Sequence, residues 1–418
     1  MKIKEIYNLY TKHYLVDTDT RKIRKNTLFF ALKGENFNGN KFALKAIELG
    51  ASFAIIDEEE YKTHDNIILV DNVLKTLQEL ANYHRKKLNA TIIGLTGSNG
   101  KTTTKELINA ILSKKYKTSA TIGNLNNHIG VPLTLLSMDT NTEIGIVEMG
   151  ANHQKEIEFL CSICEPDFGY ITNFGKAHLE GFGGIEGVIK GKCELYDYLQ
   201  KNNKTAFVNP KDNIQVEKTK KIKTIPFKDD IKLKEVNPFV KLSFNSVIIT
   251  SNLIGKYNYT NITISCTIGK FFKVSDIDIK EAIENYTPDN NRSQIIIKST
   301  NKIILDAYNA NPSSMRAAIE NFYQIEGENK TVILGDMFEL GKSSLTEHQN
   351  IVEYVESLNF KNTYFVGEIF AKTNLNKNIF KTYNALQEHL KNNPLKHQSI
   401  LIKGSRGMQL ERVLHLFN

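Results

Sequence analysis

Long hydrophobic runs are missing from this 418-residue sequence. The stretch from Met1 to Asp17 is polar and interrupted by charges, and no later segment offers the roughly 20 consecutive apolar residues that cross a bilayer. The sequence therefore shows neither a signal peptide nor a membrane span. We expect a cytoplasmic protein that does not contact a membrane.

Cysteine is scarce as well, with four residues in the whole chain. Cys161 and Cys164 have the spacing of a metal or redox pair, but no second pair or Cys/His cluster follows at the spacing of a zinc site. The pair also falls in an apolar run, residues 157–164, whose pattern is typical of a helix. The sequence therefore favours buried, reduced thiols over a metal centre.

The sequence has no internal repeat, no low-complexity segment and no basic stripe with interleaved aromatic residues. Its net charge of +8 comes from scattered lysines, which favours a solvated surface over nucleic-acid binding, and a basic protein also suits small polyanionic substrates. The length is sufficient for two or three domains, each with its own core. Strand patterns alternate with helix patterns, so the predicted fold class is α/β.

A strand, a glycine loop and a helix in succession carry the strongest functional signal. Ile92–Leu95 predicts a short buried strand, residues 96–100 (Thr-Gly-Ser-Asn-Gly) predict a tight loop, and a helix pattern begins at Lys101. In such a cradle the loop N–H groups and the helix N-terminus face phosphate oxygens. The lysine reaches the β- and γ-phosphates, and Thr102 can ligate Mg²⁺. Leu95 replaces the first glycine of the usual pattern, so the motif is a narrower variant.

Two further polar residues follow predicted strands. Glu148 ends the apolar strand at 144–147 just before a glycine, and His178 follows the strand at 170–173. In open α/β sheets ligands bind beyond the carboxyl ends of strands, so both residues are candidate metal ligands. On position alone, a solvated carboxylate and a packed histidine are the alternatives. Nothing local distinguishes Lys192 from the other lysines of its predicted helix.

The order of these patterns predicts three domains, at residues 1–85, 86–298 and 299–418. A strand predicted at 295–297 falls in the second of them. The charged stretch 211–235 is weakly periodic and predicts an exposed segment of strands and turns. The third domain is predicted to contain four parallel strands, at 302–305, 331–334, 363–366 and 399–402.

Glu148, His178 and Lys192, in this order after Thr-Gly-x-x-Gly-Lys-Thr, resemble the Mur ligase family, the ATP-dependent amide-forming enzymes of peptidoglycan precursor synthesis. The resemblance implies a three-domain α/β architecture with a central P-loop nucleotide-binding domain. It also implies an N-terminal UDP-sugar-binding domain and a Rossmann-like C-terminal α/β domain that closes on ATP and binds the acceptor. Five longer motifs, distributed over the central and C-terminal domains, resemble the branch of the family that adds a dipeptide: 124–133, 148–153, 306–315, 335–341 and 403–408.

The resemblance implies a role for each matched residue. ATP would be bound by Gly97, Ser98, Asn99, Gly100, Lys101, Thr102, Thr103, Asn258, Asn261, Arg292, Asp306 and Asn309. The UDP-linked substrate would be bound by Asp19, Thr20, Arg21, Lys33, Asn127 and His128. The residues with catalytic roles would be Lys101, Glu148, His178 and Lys192. Two Mg²⁺ ions would be held by Thr102, Glu148, His178 and a carbamylated Lys192, since CO₂ converts a neutral amine into a carboxylate-like ligand. Thr20, Asn291 and Cys193 depart from the usual family residues without removing a needed functional group.

The implied reaction joins D-alanyl-D-alanine to a UDP-N-acetylmuramoyl-tripeptide through an acyl phosphate, with ADP as a product. A monomer that binds these small molecules and no nucleic acid is expected, and the third peptide residue, meso-diaminopimelate or lysine, is left open. The alternatives are a Mur ligase that adds one amino acid, a folylpolyglutamate synthase, and a nucleotide-binding scaffold without turnover. The stretches 308–312 and 335–337 argue against the first two. The presence of Lys101, Glu148, His178 and Lys192 argues against the third.

Overall fold

The computed structural model describes residues 1–245, 247–288, 291–374 and 378–417. Its N-terminal part contains a parallel sheet of four strands in the order β1-β2-β5-β6, with β3 and β4 paired as a separate antiparallel hairpin. The elements are α1 (Ile3–Tyr10), β1 (Val16–Asp17), β2 (Leu28–Phe30), β3 (Lys33–Gly34), β4 (Phe37–Asn38), α2 (Ala43–Glu48), β5 (Phe53–Ile56), β6 (Ile67–Leu69) and α3 (Val73–Lys87).

The central sheet has six parallel strands in the order β12-β11-β10-β7-β9-β8. Because successive connections run to opposite sides of β7, the carboxyl ends of β9, β7 and β10 form a crevice of the kind in which α/β proteins bind ligands. The elements are β7 (Thr91–Thr96), α4 (Lys101–Leu112), β8 (Thr118–Ala120), α5 (Gly130–Leu135), β9 (Ile144–Glu148), α6 (Glu156–Cys164), β10 (Phe168–Ile171), α7 (Leu179–Phe182), α8 (Ile185–Lys201), β11 (Thr205–Val208), α9 (Asn213–Lys218) and β12 (Lys223–Pro226).

Strand β7 is buried on both faces. Ile92 packs in one apolar cluster, which includes Leu160 of α6, whereas Ile93 packs in a second cluster with Leu107 of α4. A strand covered on both sides reads as a continuous apolar run, which is the pattern at 92–95. The tight core around β7 holds the following loop and the start of α4 in place.

A small antiparallel sheet and two helices complete the central part. Strands β13 (Lys232–Val236), β14 (Phe239–Phe244) and β15 (Val247–Ile254) form the sheet, followed by α10 (Lys256–Phe271) and α11 (Asp276–Asn285). Helix α10 packs against α4 and buries Asn258 and Asn261 near the glycine loop.

The C-terminal sheet has the order β16-β17-β21-β18-β19-β20. The four strands predicted to be parallel are confirmed as β17, β18, β19 and β21. The strand predicted at 295–297 is also confirmed, as β16, but it pairs antiparallel with β17. Strand β16 thus belongs to the C-terminal sheet, because its partner lies only a tight turn away, although it precedes the predicted boundary at 298/299. The elements are β16 (Gln294–Lys298), β17 (Asn301–Asp306), α12 (Pro312–Gln324), β18 (Lys330–Gly335), α13 (Ser344–Ser357), β19 (Asn362–Val366), β20 (Ile379–Phe380), α14 (Tyr383–Asn392) and β21 (Ser399–Lys403).

Most residues of the stretch 211–235 are exposed and it contains strands β12 and β13, as predicted, but it also contains an element that was not predicted. It contains the short helix α9, capped by Asp212, whose carboxylate accepts hydrogen bonds from Ile214 N and Gln215 N. Gln215 is fully buried, and its Nε2 donates to Ile171 O at 2.9 Å. A helix of six residues is too short for its periodicity to stand out, which is why this element was missed.

All four cysteines are buried and unpaired, as predicted. Cys161 and Cys164 lie on α6, each with its sulfur 3.8 Å from the sulfur of Met149, and burial raises the pKa of both thiols. In the described parts of the chain, no helix combines the length and apolar character that a membrane span needs.

Candidate functional site

The loop after β7 forms the floor of the site. Gly97 and Gly100 have φ angles of +140° and +80°, and a Cβ on Gly97 would lie 2.0 Å from Thr172 Oγ1. The segment after β10 fixes the loop, because Thr172 Oγ1 donates to Asn99 O at 2.6 Å and Asn173 Oδ1 accepts from Asn99 N at 3.1 Å. Only glycine combines these backbone angles with so close a neighbour.

Lys101 is the first residue of α4, where a cradle lysine is expected. Its Nζ donates to Gly97 O at 2.7 Å, so the side chain folds back over the loop. Burial lowers the pKa of the Lys101 ammonium, Glu148 opposes this shift, and Arg292 adds to it. A cation held above a ring of N–H groups is suited to the negative charge of a triphosphate.

Glu148 lies at the carboxyl end of β9 and is 1% exposed. Its Oε1 accepts a hydrogen bond from Asn126 Nδ2 at 2.8 Å, whereas the buried Oε2 has no hydrogen-bond partner within the described residues. A buried carboxylate oxygen without a donor is costly unless a cation completes it. The residue therefore fits a hard cation such as Mg²⁺, which prefers oxygen ligands.

His178 precedes α7 and has a left-handed backbone, with φ of +52°. Its Nδ1 lies 2.5 Å from Oε2 of Glu339, a residue between β18 and α13. The two atoms are within ion-pair distance, but the ring is not aligned for a hydrogen bond. Nδ1 is buried and has no hydrogen-bond partner among the described residues. The histidine ring holds the pKa of Glu339 below its ordinary value.

Lys192 is buried within α8 and is 1% exposed. Its Nζ donates to Ala151 O at 3.2 Å and lies 5.0 Å from the centre of the Phe182 ring. Burial, with a smaller effect of Lys101, lowers the pKa of Lys192 well below 10.5. The sequence marked this lysine only through the family resemblance, since a solvated helix face was the ordinary expectation.

Residues from the C-terminal sheet close the other side of the site. Asp306 accepts hydrogen bonds from Ser293 N at 3.0 Å and from Lys403 Nζ at 2.6 Å, and the guanidinium carbon of Arg292 lies 3.8 Å from the centre of the Tyr308 ring. Asn311 Nδ2 donates to Asn99 Oδ1 at 2.7 Å and so links this side directly to the glycine loop.

These groups surround one cavity of about 1180 Å³. A cavity of this size, lined by a phosphate cradle and by polar groups from two sheets, can hold a nucleoside triphosphate beside a second substrate. The predicted residues that line it are Ser98, Asn99, Gly100, Lys101, Thr102, Thr103, Asn127, His128, Glu148, His178, Asn258, Asn261, Arg292, Asp306 and Asn309.

Two sets of predicted residues are not among those that line the cavity. Lys192 is buried within α8, and Gly97 is a loop residue that does not line the cavity. The remaining predicted residues lie on the N-terminal part: Asp19 caps the turn Thr20–Lys22 and pairs with Arg21 at 2.7 Å. Lys33 in the β3–β4 hairpin pairs with Asp57 at 3.0 Å. In the part of the chain that the structure describes, no three His, Cys, Asp or Glu residues are gathered as a ready metal cluster.

Sequence reasoning missed several residues that shape the site. Asn173, which fixes the loop, follows the same strand-end rule that identified Glu148. Asn126, which donates a hydrogen bond to Glu148, lies in the turn-rich segment between β8 and α5. Tyr308 and Lys403 lie in motifs that the sequence does offer, but their contacts join segments far apart in the chain. Glu339 lies in the motif 335–341, but nothing in that motif shows that it meets His178, because the two residues are far apart in the chain.

Comparisons with known proteins match all three parts of the chain to one family. Family models match residues 12–85 (Mur ligase family, catalytic domain), 95–269 (Mur ligase middle domain) and 291–406 (Mur ligase, glutamate ligase domain). The chain is 33% identical to the UDP-N-acetylmuramoyl-tripeptide--D-alanyl-D-alanine ligase of Bacillus subtilis, over 96% of this chain and 92% of that protein. The enzyme of the same name from Escherichia coli is 32% identical over the same shares.

Solved structures show the same likeness in three dimensions. A crystal structure of MurF from Acinetobacter baumannii superposes with a TM-score of 0.84 at 31% identity, covering 96% of this chain and 92% of that one. MurF ligase from Thermotoga maritima in complex with ADP gives 0.83 at 27% identity, covering 100% and 98%.

Proposed function

The chain belongs to the Mur ligase family, and from this premise we infer that it is an ATP-dependent ligase that joins D-alanyl-D-alanine to a UDP-N-acetylmuramoyl-tripeptide. One observation carries the inference: a single cavity is lined both by the glycine loop of the central sheet and by Arg292, Asp306 and Asn309 near the C-terminal sheet. A ligase needs this arrangement, because it must hold the phosphate donor, the carboxylate and the amine together.

ATP is the phosphate donor in this proposal. The N–H groups of residues 97–103 surround its phosphates, and Lys101 moves from its contact with Gly97 O to the β- and γ-phosphates. Asn258, Asn261, Arg292, Asp306 and Asn309 form the opposite wall. The ADP bound to the Thermotoga maritima relative supports this assignment.

Mg²⁺ fits beside Glu148, whose Oε2 has no donor within the described residues. Thr102 and Glu148 would hold one ion, and His178 with a carbamylated Lys192 would hold a second. Bound Mg²⁺ supplies neutralisation of the charge that develops on the transferring phosphoryl group. Support for the carbamate is the burial of Lys192 without a carboxylate partner in the described chain, since CO₂ adds only to a neutral amine.

The UDP-linked substrate is proposed to extend from the cavity to the N-terminal part. Asn127 and His128 line the cavity, while Asp19, Thr20, Arg21 and Lys33 lie on the N-terminal part. We retain as a proposal the division into a UDP-sugar part at 1–85, an ATP part at 86–298 and an acceptor part at 299–418. Strand β16 lies just before the last boundary, although it pairs in the C-terminal sheet.

The chemistry uses two displacements. The peptide carboxylate attacks the γ-phosphate to give an acyl phosphate and ADP, and the dipeptide amine then displaces phosphate through a tetrahedral intermediate. Lys101 and Arg292 stabilise charge at the transferring group, and the hydrogen bond between Asn99 and Asn311 holds the two sides of the cavity together. Closing of the C-terminal part on ATP would exclude water from the acyl phosphate.

The acceptor is the choice that separates the branches of the family. A site built to bond the extra amide of a dipeptide should reject single amino acids far more strongly than it would reject the loss of a methyl group. We therefore assign acceptor choice to the segments 309–315, 335–337 and 403–406. The enzyme acts as a monomer on small molecules in the cytoplasmic stage of cell-wall precursor synthesis.

Product formation by mass spectrometry tests the function. Each acceptor is offered alone with the UDP-linked tripeptide, ATP and Mg²⁺: D-alanyl-D-alanine, D-alanine, L-lysine or meso-diaminopimelate. We expect turnover with the dipeptide and phosphate release that depends on both substrates. Preferred use of a free amino acid contradicts the branch, and release of AMP with pyrophosphate contradicts the acyl-phosphate route.

A further inference from the structure

The segment 175–182 of the central part is the place where the C-terminal part docks beside the cavity. Lys176 N donates to Ser313 Oγ at 2.9 Å, and Lys176 Nζ lies 2.5 Å from Glu347 Oε1. The Glu180 N–H donates to Glu339 O at 3.2 Å. Residues two positions before and two positions after His178, Lys176 and Glu180, therefore both contact the C-terminal part.

His178 and Glu339 meet at the centre of this contact. Both have left-handed backbones, with φ of +52° and +62°, although neither is a glycine. Residues in this region persist where surrounding structure holds them and are concentrated at functional sites. The two backbone turns bring the ring and the carboxylate together, with 2.5 Å between Nδ1 and Oε2.

The loop that carries Glu339 is itself held in place. Asp336 accepts hydrogen bonds from Ile369 N at 2.9 Å and Phe370 N at 3.0 Å, and the buried His348 accepts from Met337 N at 2.9 Å through Nε2. Because these hydrogen bonds fix the loop three residues before Glu339, the Glu339 carboxylate has a defined position near His178. The loop delivers that group whenever the C-terminal part docks.

We propose that Glu339 is a positioning residue that fixes the tautomer and direction of the His178 ring across the boundary between the two parts. A carboxylate accepts only, so the ring proton is assigned to Nδ1 and the lone pair of Nε2 is left for a metal ion. Metal-binding histidines commonly owe their orientation to such a carboxylate. The inference rests on the proposed function for the role of His178 as a ligand.

The proposal links domain docking to metal binding. With the C-terminal part undocked, His178 would lose its acceptor and its ring would be free to rotate or change tautomer. The two atoms are already in contact, so binding of the substrates would improve the angle between the ring and the carboxylate, as it often does for catalytic hydrogen bonds. The second ion would then bind firmly only after the acceptor-binding part is in place.

The test measures Mn²⁺ affinity by electron paramagnetic resonance, with the full-length protein and ADP and without peptide substrate. Glu339→Ala should weaken the Mn²⁺ site by about 10- to 100-fold. His178→Ala should weaken it similarly, and the double variant should show no further loss, because both changes remove one arrangement. Glu347→Gln is the matched control, since it removes an ion pair from the same docking surface without touching His178. Because such a partly exposed pair contributes about 1 kcal/mol or less, it should weaken Mn²⁺ binding clearly less than Glu339→Ala does.

Two outcomes would overturn the proposal. Unchanged Mn²⁺ affinity in Glu339→Ala would make the residue a docking contact only, and additive losses in the double variant would mean that it acts elsewhere. Nuclear magnetic resonance of ¹⁵N-histidine in the metal-free protein gives a second readout, in which Glu339→Ala shifts the His178 signals toward the Nε2–H tautomer. Neither readout uses the acceptor, so a wrong acceptor assignment would leave both standing.

Discussion

Replacing Lys192 with methionine should damage activity while making the protein more stable. The side chain is 1% exposed, donates one hydrogen bond, of 3.2 Å, to Ala151 O, and has no carboxylate partner within the described residues. Methionine has a similar length and no charge, so it fits the same space beside Phe182. The substitution therefore separates the chemical role of the amine from its cost to folding.

The magnitudes follow from these contacts. One hydrogen bond contributes about 1 kcal/mol, whereas burying an ammonium costs several kcal/mol, so an apolar replacement at such a site is neutral or stabilising by about 1–4 kcal/mol. For a domain of about 200 residues, each kcal/mol shifts the Tm by about 2–4 °C. Loss of an electrostatic group that acts in the transition state lowers kcat by about 100- to 1000-fold.

Calorimetry in CO₂-free buffer measures the Tm, and phosphate release measures activity. Added bicarbonate should raise the activity of the stripped wild type and leave Lys192→Met unchanged, while Lys192→Glu should keep part of the activity because it supplies a carboxylate. A fully active Lys192→Met protein would return the residue to a packing role. A fall in its Tm would show that the folded state stabilises the ammonium by contacts other than the one to Ala151.

Four further changes test other parts of the site and the fold. Lys101→Ala should lower turnover by about 100- to 1000-fold with an unchanged circular dichroism spectrum, because the lost contact is with transferring charge; retained turnover would remove the lysine from the mechanism. Asn126→Ala leaves the buried Oε1 of Glu148 without its donor and should cost about 1–3 kcal/mol of stability, seen as a lower Tm, together with a higher Mg²⁺ requirement; an unchanged Mg²⁺ requirement would argue against Glu148 as a ligand. Gly97→Ala places a Cβ 2.0 Å from Thr172 Oγ1 and should abolish ADP binding by calorimetry. Burial lowers the pKa of His84 below 6.5, so at pH values just below 6.5 this histidine is protonated in the unfolded chain but not in the folded one. The free energy of unfolding therefore decreases as the pH falls below 6.5. Between pH 7.5 and 5.5 the Tm should fall less in His84→Gln than in the wild type.

The parts of the site that the sequence could predict are those built from one continuous stretch. The glycine loop and Lys101 are local, since the strand, the turn and the helix start each leave their own pattern. Glu148 and His178 were identified by position, because parallel strands bring their carboxyl ends to one edge. The four parallel strands of the C-terminal sheet were predictable for the same reason, as short apolar runs separated by helix patterns.

What the sequence could not show are pairings between distant segments. Glu339 and His178 meet only because two sheets dock, and Asn126 reaches Glu148 only because the chain returns past β9. Strand β16 was predicted as a strand, but its partner was decided by a tight turn that periodicity does not reveal. Lys192 is buried because helix α8 packs with the apolar cluster. No local feature of the α8 sequence indicates which of its lysines this packing buries.

The four buried thiols allow unfolding of the central part to be measured without adding a probe. Cys161, Cys164, Cys193 and Cys266 all lie between β7 and α11, and neither of the other two parts contains a cysteine. Because burial removes the thiols from solvent and raises their pKa, an alkylating reagent modifies them only when this part opens. Pulsed alkylation followed by peptide mass spectrometry would therefore follow the opening of the nucleotide-binding part alone, in the intact chain and without an introduced label.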